Sequence, residues 1–360
     1  MKRKIVLITI FIAAFLLAGW GVQDPSQEPS MQANGRWGPK KVVVMTRNLY
    51  VGGNVDRLIT PGGDLFEKLM ETIMEVQYTN FPERAVALAK EIKWWKPHLV
   101  GLQELSLIEI HLPYFNIVFT LNFEDIFMST LDAMGLDYRI AGKVQNVEAF
   151  VPLFGDNYVR LTDFDAVLAR NDVETSNEEA WHYTDFYFTG PPLFVSILRG
   201  YIAVDAVVGK KTYRFVNTHL EPFDPDVKMD QAEELMGRLA GETLPIILVG
   251  DLNAEAPDDV VYEYIVNEND YVDSWTRNKV QGNKIGNTSG YESTLDDPYD
   301  TLEKRIDFIL VKSHVWAGDY QDIGPVIAFV VGDQRKDMTP SGLWPSDHAG
   351  VIARLKIPTF

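Results

Sequence analysis

The chain has 360 residues, of which 46% are hydrophobic and 23% charged, an ordinary globular composition with room for one large domain or two small ones. Its formal net charge of −18 disfavours polyanions and anionic membranes unless a basic patch or a metal offsets it. The absence of cysteine excludes disulfides, zinc–thiolate sites and thiol nucleophiles.

In chain order, Lys2, Arg3 and Lys4 precede an uncharged, mostly apolar run from Ile5 to Ala18, followed by the small residues Gly19 and Gly21. This is the pattern of a secretory signal over 1–21, and it predicts an exported protein, secreted or in the cell envelope. An uncleaved N-terminal membrane anchor is the alternative. Trp20 stands where a lipoprotein signal needs cysteine, so lipid attachment is not expected. Residues 22–40, rich in Gln, Ser, Pro and Gly, read as a linker. A single domain is expected over 41–357.

Lys41 to Arg47 reads as a Val-rich strand. A helix is predicted from Leu65 to about Gln77 with Asp64 as its N-cap, and a second from Pro82 to Trp95, stopped by Pro97. Leu99 to Gln103 is the next strand. Between Ser106 and Gly155 the pattern weakens, with a helix at Asp125–Met134 and a strand at Tyr138–Ala141. A strand follows at Asp165–Arg170. Residues 171–192 read as an irregular surface excursion. Gly200–Val208 and Thr212–Asn217 form a hairpin about Gly209 to Lys211. A helix at Val227–Leu239 leads to the buried strand Ile246–Val249. A short helix at Val260–Val266, a loop at 288–300 and strands at Ile306–Val311, Val326–Val331 and Val351–Leu355 complete the chain. The β-α-β order at the start argues for a mixed α/β fold.

Polar residues recur at the ends of these apolar strands: Asn48, Glu104, His219, Asp251, Asn253, Asp307, Asp347 and His348. Carboxylates and carboxamides are hard oxygen ligands, suited to Mg²⁺ or Mn²⁺ more than to zinc. Two histidines with acidic neighbours suit proton transfer or stabilisation of developing charge. Together they are the equipment for attack of water on a phosphoester.

The motifs TRN (46–48), LQE (102–104), NTHL (217–220), GDLN (250–253), RID (305–307) and SDH (346–348) resemble, in order and spacing, the endonuclease/exonuclease/phosphatase superfamily with its DNase I-like fold. Residues 46–58 and the stretch PERAVALAKEI (82–92) look closest to an uncharacterised bacterial branch. The resemblance implies a four-layer α-β-β-α sandwich of two mixed sheets, with the site where their strand ends converge. It implies Glu104 as main metal ligand with Asn48 beside it, and Asp347 supporting the metal or His219. It implies Asp251 to orient or deprotonate the attacking water, Asn253 to hold phosphate or that water, and Asp307 to fix the tautomer of His348. His348 would hydrogen-bond a phosphoryl oxygen or act as base; the choice between Asp251 and His348 as base stays open. His219 would stabilise the charged phosphorus centre or protonate the leaving group.

The chain departs from some nucleases of the family in carrying Tyr50 where they carry an aspartate, with Asp56 the nearest substitute, so a second metal is in question. Asp163, Asp165 and Arg170 occupy the region of a missing phosphate-binding motif and read as ordinary strand and turn residues. Arg199 and Arg305 read as ion-paired arginines more than as phosphate ligands, and Asp273 equally as a turn residue or a brace. His98, His111, His182 and His314 match no motif. The expected substrate is a phosphoester (nucleic acid, phospholipid head group or small phosphoester), acted on by a monomer. Transient membrane contact is an option for the aromatic-rich segment Trp181–Phe194. A non-catalytic binding protein on the same fold is the competing reading.

Overall fold

The computed structural model describes residues 41–357 except 192, 281–284, 300, 314–322 and 324–325. The expected signal (1–21), the linker (22–40) and His314 lie outside the described residues.

Two sheets carry the fold. The first is ten-stranded. Its central strands are β1 (Val42–Asn48), β2 (Leu99–Gln103), β5 (Tyr138–Pro152) and β6 (Tyr158–Arg170), in the order β1-β2-β6-β5. The strands β15 (Ile327–Val331) and β16 (Gly350–Leu355) extend it beyond β1. The short β8 (Tyr187–Phe188) and β9 (Ser196–Ile197) extend it beyond β5. The hairpin of β3 (Leu107–Leu112) and β4 (Ile117–Asn122) joins through β6. The second sheet has six strands in the order β13-β14-β12-β11-β10-β7. These are β7 (Glu174–His182), β10 (Gly200–Val208), β11 (Lys211–His219), β12 (Ile246–Asp251), β13 (Val272–Asp273) and β14 (Asp307–Lys312).

Three separate apolar clusters show the layering. One lies between the sheets, where Val44 and Leu99 of the first meet Phe215, Ile247, Val249 and Ile309 of the second. After the short α1 (Asp56–Ile59), another packs the helices α2 (Leu65–Tyr78), α3 (Phe81–Trp95) and α4 (Phe123–Ala133) on the outer face of the first sheet, through Ile73, Leu88 and Phe127 against Met45 and Leu102. The third packs α5 (Pro225–Leu239) and α6 (Val260–Glu263) on the second, through Leu235 and Val261 against Val216 and Leu248. Helix, sheet, sheet, helix is the four-layer sandwich expected. The central strands are apolar throughout because both faces are covered: Ile247 and Val249 point to one cluster, Ile246 and Leu248 to the other.

The sheets come closest beside the site. A Cβ on Gly101 would lie 2.4 Å from Val249 Cγ2 and 2.5 Å from Asn217 Oδ1, so only glycine fits. Asn217, wholly buried, bridges the gap by donating to the carbonyls of Leu102 (2.9 Å) and Ala166 (3.0 Å) and accepting from Gln103 Nε2 (2.6 Å).

The expected helices and central strands are present, most with ends shifted by one or two residues; β6 starts at Tyr158, seven residues before the expected Asp165, and α6 ends at Glu263, three before the expected Val266. The Asp64 carboxylate caps α2 by accepting from Glu67 N at 3.0 Å. Two expectations are corrected. Residues 174–182 are regular: β7 is the edge strand of the second sheet, and its largely exposed Glu, Asn and Ser side chains hide the strand while protecting the edge. The middle is mostly sheet as well. β5 runs for 15 residues, but register shifts at Ile140/Gly142 and Gln145/Val147 break the alternation by which a strand is recognised.

Candidate active site

The motif residues meet because of strand direction. β1 with β2, and β11 with β12, are parallel pairs, so the C-terminal ends carrying Asn48, Glu104, His219 and Asp251 lie at one edge of the sandwich. β14 runs antiparallel to β12 and β16 antiparallel to β1, so their N-terminal ends arrive at that same edge. This is why the polar residues follow the strand in four motifs and precede it in RID and SDH. In register, His219 pairs with Asp251, and Asp251 with Asp307.

Asp251, almost wholly buried, is the hub. Its Oδ2 accepts from Asn48 Nδ2 at 3.3 Å and lies 3.6 Å from both His219 Nε2 and His348 Nδ1. Its Oδ1 accepts from Asn253 N at 2.9 Å, the tight turn that closes GDLN. A Cβ on Gly250 would fall 1.9 Å from Thr218 O, so glycine is required for Asp251 to sit against His219. Asn253 donates to Leu220 O at 2.9 Å, and Lys228 Nζ holds the Asn253 carbonyl at 2.7 Å.

His348 Nδ1 donates to Asp307 Oδ2 at 2.9 Å, which leaves Nε2 as the ring nitrogen for proton exchange. Burial opposes charge on His348, but Asp307, Asp251 and Asp347 outweigh it and raise its pKa well above the ordinary value. His219 Nδ1 lies 3.0 Å from Arg199 Nη1 and 3.8 Å from Asp165 Oδ1.

Oxygen donors gather on the other side. Asn48 Nδ2 donates to Glu104 Oε1 at 3.1 Å, and Val51 N to Glu104 Oε2 at 2.6 Å. Asp163 is buried, held by Ser106 Oγ at 2.7 Å, and burial together with the charge of Glu104 pushes its carboxyl up to about 7. Asp347 is likewise pushed up to about 7, by burial, with Glu104 adding to the shift and His348 opposing it. Carboxylates crowded until two resist ionisation fit a hard divalent cation, and Asn48, Glu104 and Asp347 supply only oxygen. Asp251, Asp307 and His348 also offer donor atoms within 4.8 Å of one another. Within that set His348 Nδ1 and Asp307 Oδ2 are already hydrogen-bonded to each other. Glu104, Asp347, Asp251 and His348 line a cavity of about 440 Å³, which Asp56 and Arg199 also border.

A profile of the endonuclease/exonuclease/phosphatase family matches residues 75–348. The chain belongs to this family. Among solved structures, an endonuclease/exonuclease/phosphatase from Bacteroides vulgatus is similar at TM-score 0.53 and 17% identity, covering 88% of this chain and 99% of that one. A family protein from Leptotrichia buccalis C-1013-b matches at 0.53 and 16%, over 88% and 100%. D. rerio TDP2, solved with a single-strand DNA product, matches at 0.52 and 14%, over 88% and 98%. A comparison with curated proteins finds no match. At such identities the structures establish the fold of this family member.

All eight residues expected from the sequence line the cavity or hydrogen-bond to those that do. Arg305 does not face it: its Nη1 pairs with Asp273 Oδ2 at 2.6 Å, and Asp273 also accepts from Trp275 N and Tyr262 Oη, so this aspartate is turn residue and brace at once. Two buried groups on α3 are additions that sequence reasoning missed. Arg84 donates to the carbonyls of Leu49, Tyr50, Thr79 and Pro345, tying the loop after Asn48 to the loop before Asp347. Glu91 binds Arg47, which in turn donates to the carbonyl of His348. A signal was present: Arg84 and Glu91 share helical spacing with the apolar Ala85, Leu88 and Ile92, and charge on a buried helix face needs a partner.

Proposed function

We propose that this protein hydrolyses phosphoester bonds by attack of water on phosphorus, assisted by a divalent cation of the Mg²⁺ or Mn²⁺ type. The observation that carries the reading is the His348–Asp307 hydrogen bond set beside Asp251, whose Oδ2 is 3.6 Å from both histidines. Asn48, Glu104 and Asp347 would hold the cation, which when bound would neutralise charge on a phosphoryl oxygen and acidify water. Asp251 orients the attacking water and draws its proton. Asp307 holds the Nδ1 proton and the charge of the His348 ring, so that its Nε2–H can donate to a phosphoryl oxygen. His219, between Asp251 on one side and Arg199 and Asp165 on the other, stands ready to donate to the leaving oxygen.

The test is hydrolysis of bis-p-nitrophenyl phosphate with Mg²⁺, Mn²⁺ or EDTA. Turnover that needs the cation and is lost in Glu104→Ala and His348→Ala supports the reading. No turnover in the parent, unchanged by either substitution, would return the chain to the non-catalytic binding class. Because D. rerio TDP2 was solved with a single-strand DNA product, single-stranded DNA belongs in the substrate panel beside plasmid, sphingomyelin and inositol phosphates. Export is proposed from the basic residues Lys2 to Lys4 and the apolar run behind them. N-terminal sequencing checks it, and an intact Met1 in a cytosolic fraction would refute it.

A further inference from the structure

One flank of the cavity is built from three rows of alternating residues. On β5, Val147, Ala149 and Val151 face it, and on β6, Val159, Leu161 and Asp163 do. These two rows are cross-strand partners: Val147 opposite Asp163, Ala149 opposite Leu161, Val151 opposite Val159. The third row, Leu193, Val195 and Ile197, continues beside them past β5, with Ile197 paired to Val147. Two of the rows change character at the reaction centre, one ending in Asp163 and the other in Arg199. The result is an aliphatic strip, about 13 Å long by strand rise from 159 to 163, that starts at the acidic cluster and leads away from it. Leu161, Val151, Leu193 and Ile197 are only half-buried, which leaves apolar surface open to a ligand.

We infer that this strip holds an apolar chain of the substrate, so that the ester is a phosphate carrying an extended aliphatic group. This rests on the hydrolase reading above and narrows it. A polynucleotide needs cations along its backbone and flat rings under its bases. The strip offers branched aliphatic side chains. Among the described residues lining the cavity, Arg199 is the sole lysine or arginine, and its guanidinium is engaged with His219. The chain's net charge of −18 adds to the bias. Next in the chain to the lining residues Thr189 and Leu193, the exposed rings of Phe188 and Phe194 lie 6.3 Å apart, so the chain could arrive free or from a lipid surface.

The experiment is calorimetric titration of the whole protein, with Mg²⁺ present, by methyl-, butyl- and octylphosphonate, whose carbon–phosphorus bond is not hydrolysed. Burial of each methylene tightens binding about three- to fourfold. The expected result is a Kd that falls by about that factor per carbon, and a weaker length dependence in Leu161→Gln and in the shape-preserving Val195→Thr. Failure of octylphosphonate to bind, a Kd independent of length, or an unchanged slope in both variants overturns the inference. Bis-p-nitrophenyl phosphate turnover separates the two readings. Length-dependent binding without turnover removes the hydrolase and keeps the strip; turnover with length-independent binding does the reverse. Co-sedimentation with phosphatidylcholine vesicles containing phosphatidic acid, weakened in Phe188→Ser, identifies the source as a lipid. Octylphosphonate binding without co-sedimentation identifies a soluble ester. Either source supports the strip.

Discussion

Arg47 and Glu91 form a two-pronged ion pair, Nε to Oε2 and Nη2 to Oε1 both at 3.0 Å, with both residues buried. The remaining guanidinium nitrogen of Arg47 donates to the carbonyl of His348. A carboxylate on a helix thus sets the position of a histidine 257 residues later in the chain, through an arginine one residue before Asn48. Burial pushes Glu91 up to about 7 against the opposing pull of Arg47.

Glu91→Ala leaves an unpaired charge inside the protein and should cost about 3–5 kcal/mol, read from the urea midpoint. Glu91→Gln keeps part of the hydrogen bonding and should cost less. In that variant kcat should fall more than KM changes, because His348 is displaced while the cavity stays intact. Equal stability of Glu91→Ala and parent would contradict the arrangement.

Asp307→Asn removes the charge that holds His348 protonated. Sign and window follow from a raised histidine. The stabilisation is full below about pH 6.5 and is lost as pH rises through the elevated folded value. In the Asn variant the His348 titration, followed by its ring proton resonance, should move down towards the ordinary value. Turnover should drop roughly 10²- to 10⁴-fold. An unmoved resonance would sink the dyad.

Cation removal should destabilise the protein in a pH-dependent way. Asp163 and Asp347 are held near 7, so the metal-free chain loses stability as pH rises from the ordinary carboxylate range through about 7. Thermal melts in EDTA should therefore show a lower Tm at pH 8 than at pH 6 from these groups, and Mg²⁺ should raise Tm most at pH 8. Glu104→Gln removes the charge common to both. It should raise the metal-free Tm and abolish the Mg²⁺ response. A Tm indifferent to Mg²⁺ at every pH would count against a cation site.

His98 is structural: its Nδ1 accepts from Val43 N at 3.0 Å, and burial lowers its pKa from 6.5 to about 4. A depressed histidine is neutral in the fold, so its contribution is present above about 6.5 and is lost as pH falls towards 4. After allowance for partial exposure, about 2 kcal/mol is at stake. His98→Asn, which keeps an acceptor, should flatten the decline of Tm between pH 6.5 and 4.5.

Gly101→Ala should cost at least about 1–3 kcal/mol, because the new methyl meets Val249 and Asn217 on the facing sheet. The effect should appear as a lower urea midpoint with an unchanged denaturant slope. A neutral result would mean the sheets are not held this close.

How much the sequence disclosed follows from which forces are local. Strands buried on both faces, such as β1 and β12, are continuous apolar runs, and amphipathic helices repeat at helical spacing, so both are visible in a short window. The eight polar residues stand out because each abuts such a run. β7 and β5 were hidden, one by an exposed polar edge face and the other by bulges, since both depend on a neighbouring strand. The sequence by itself therefore determined the layers, the family resemblance and the candidate chemistry of Asp251 and its partners. Only the tertiary structure decided that His219 answers to Arg199 and Asp165. It also decided that Arg84 and Glu91 brace the site and that β5, β6 and residues 193–197 line an apolar strip beside it. These pairings join residues up to 301 positions apart, and only the direction and register of packed strands could choose them.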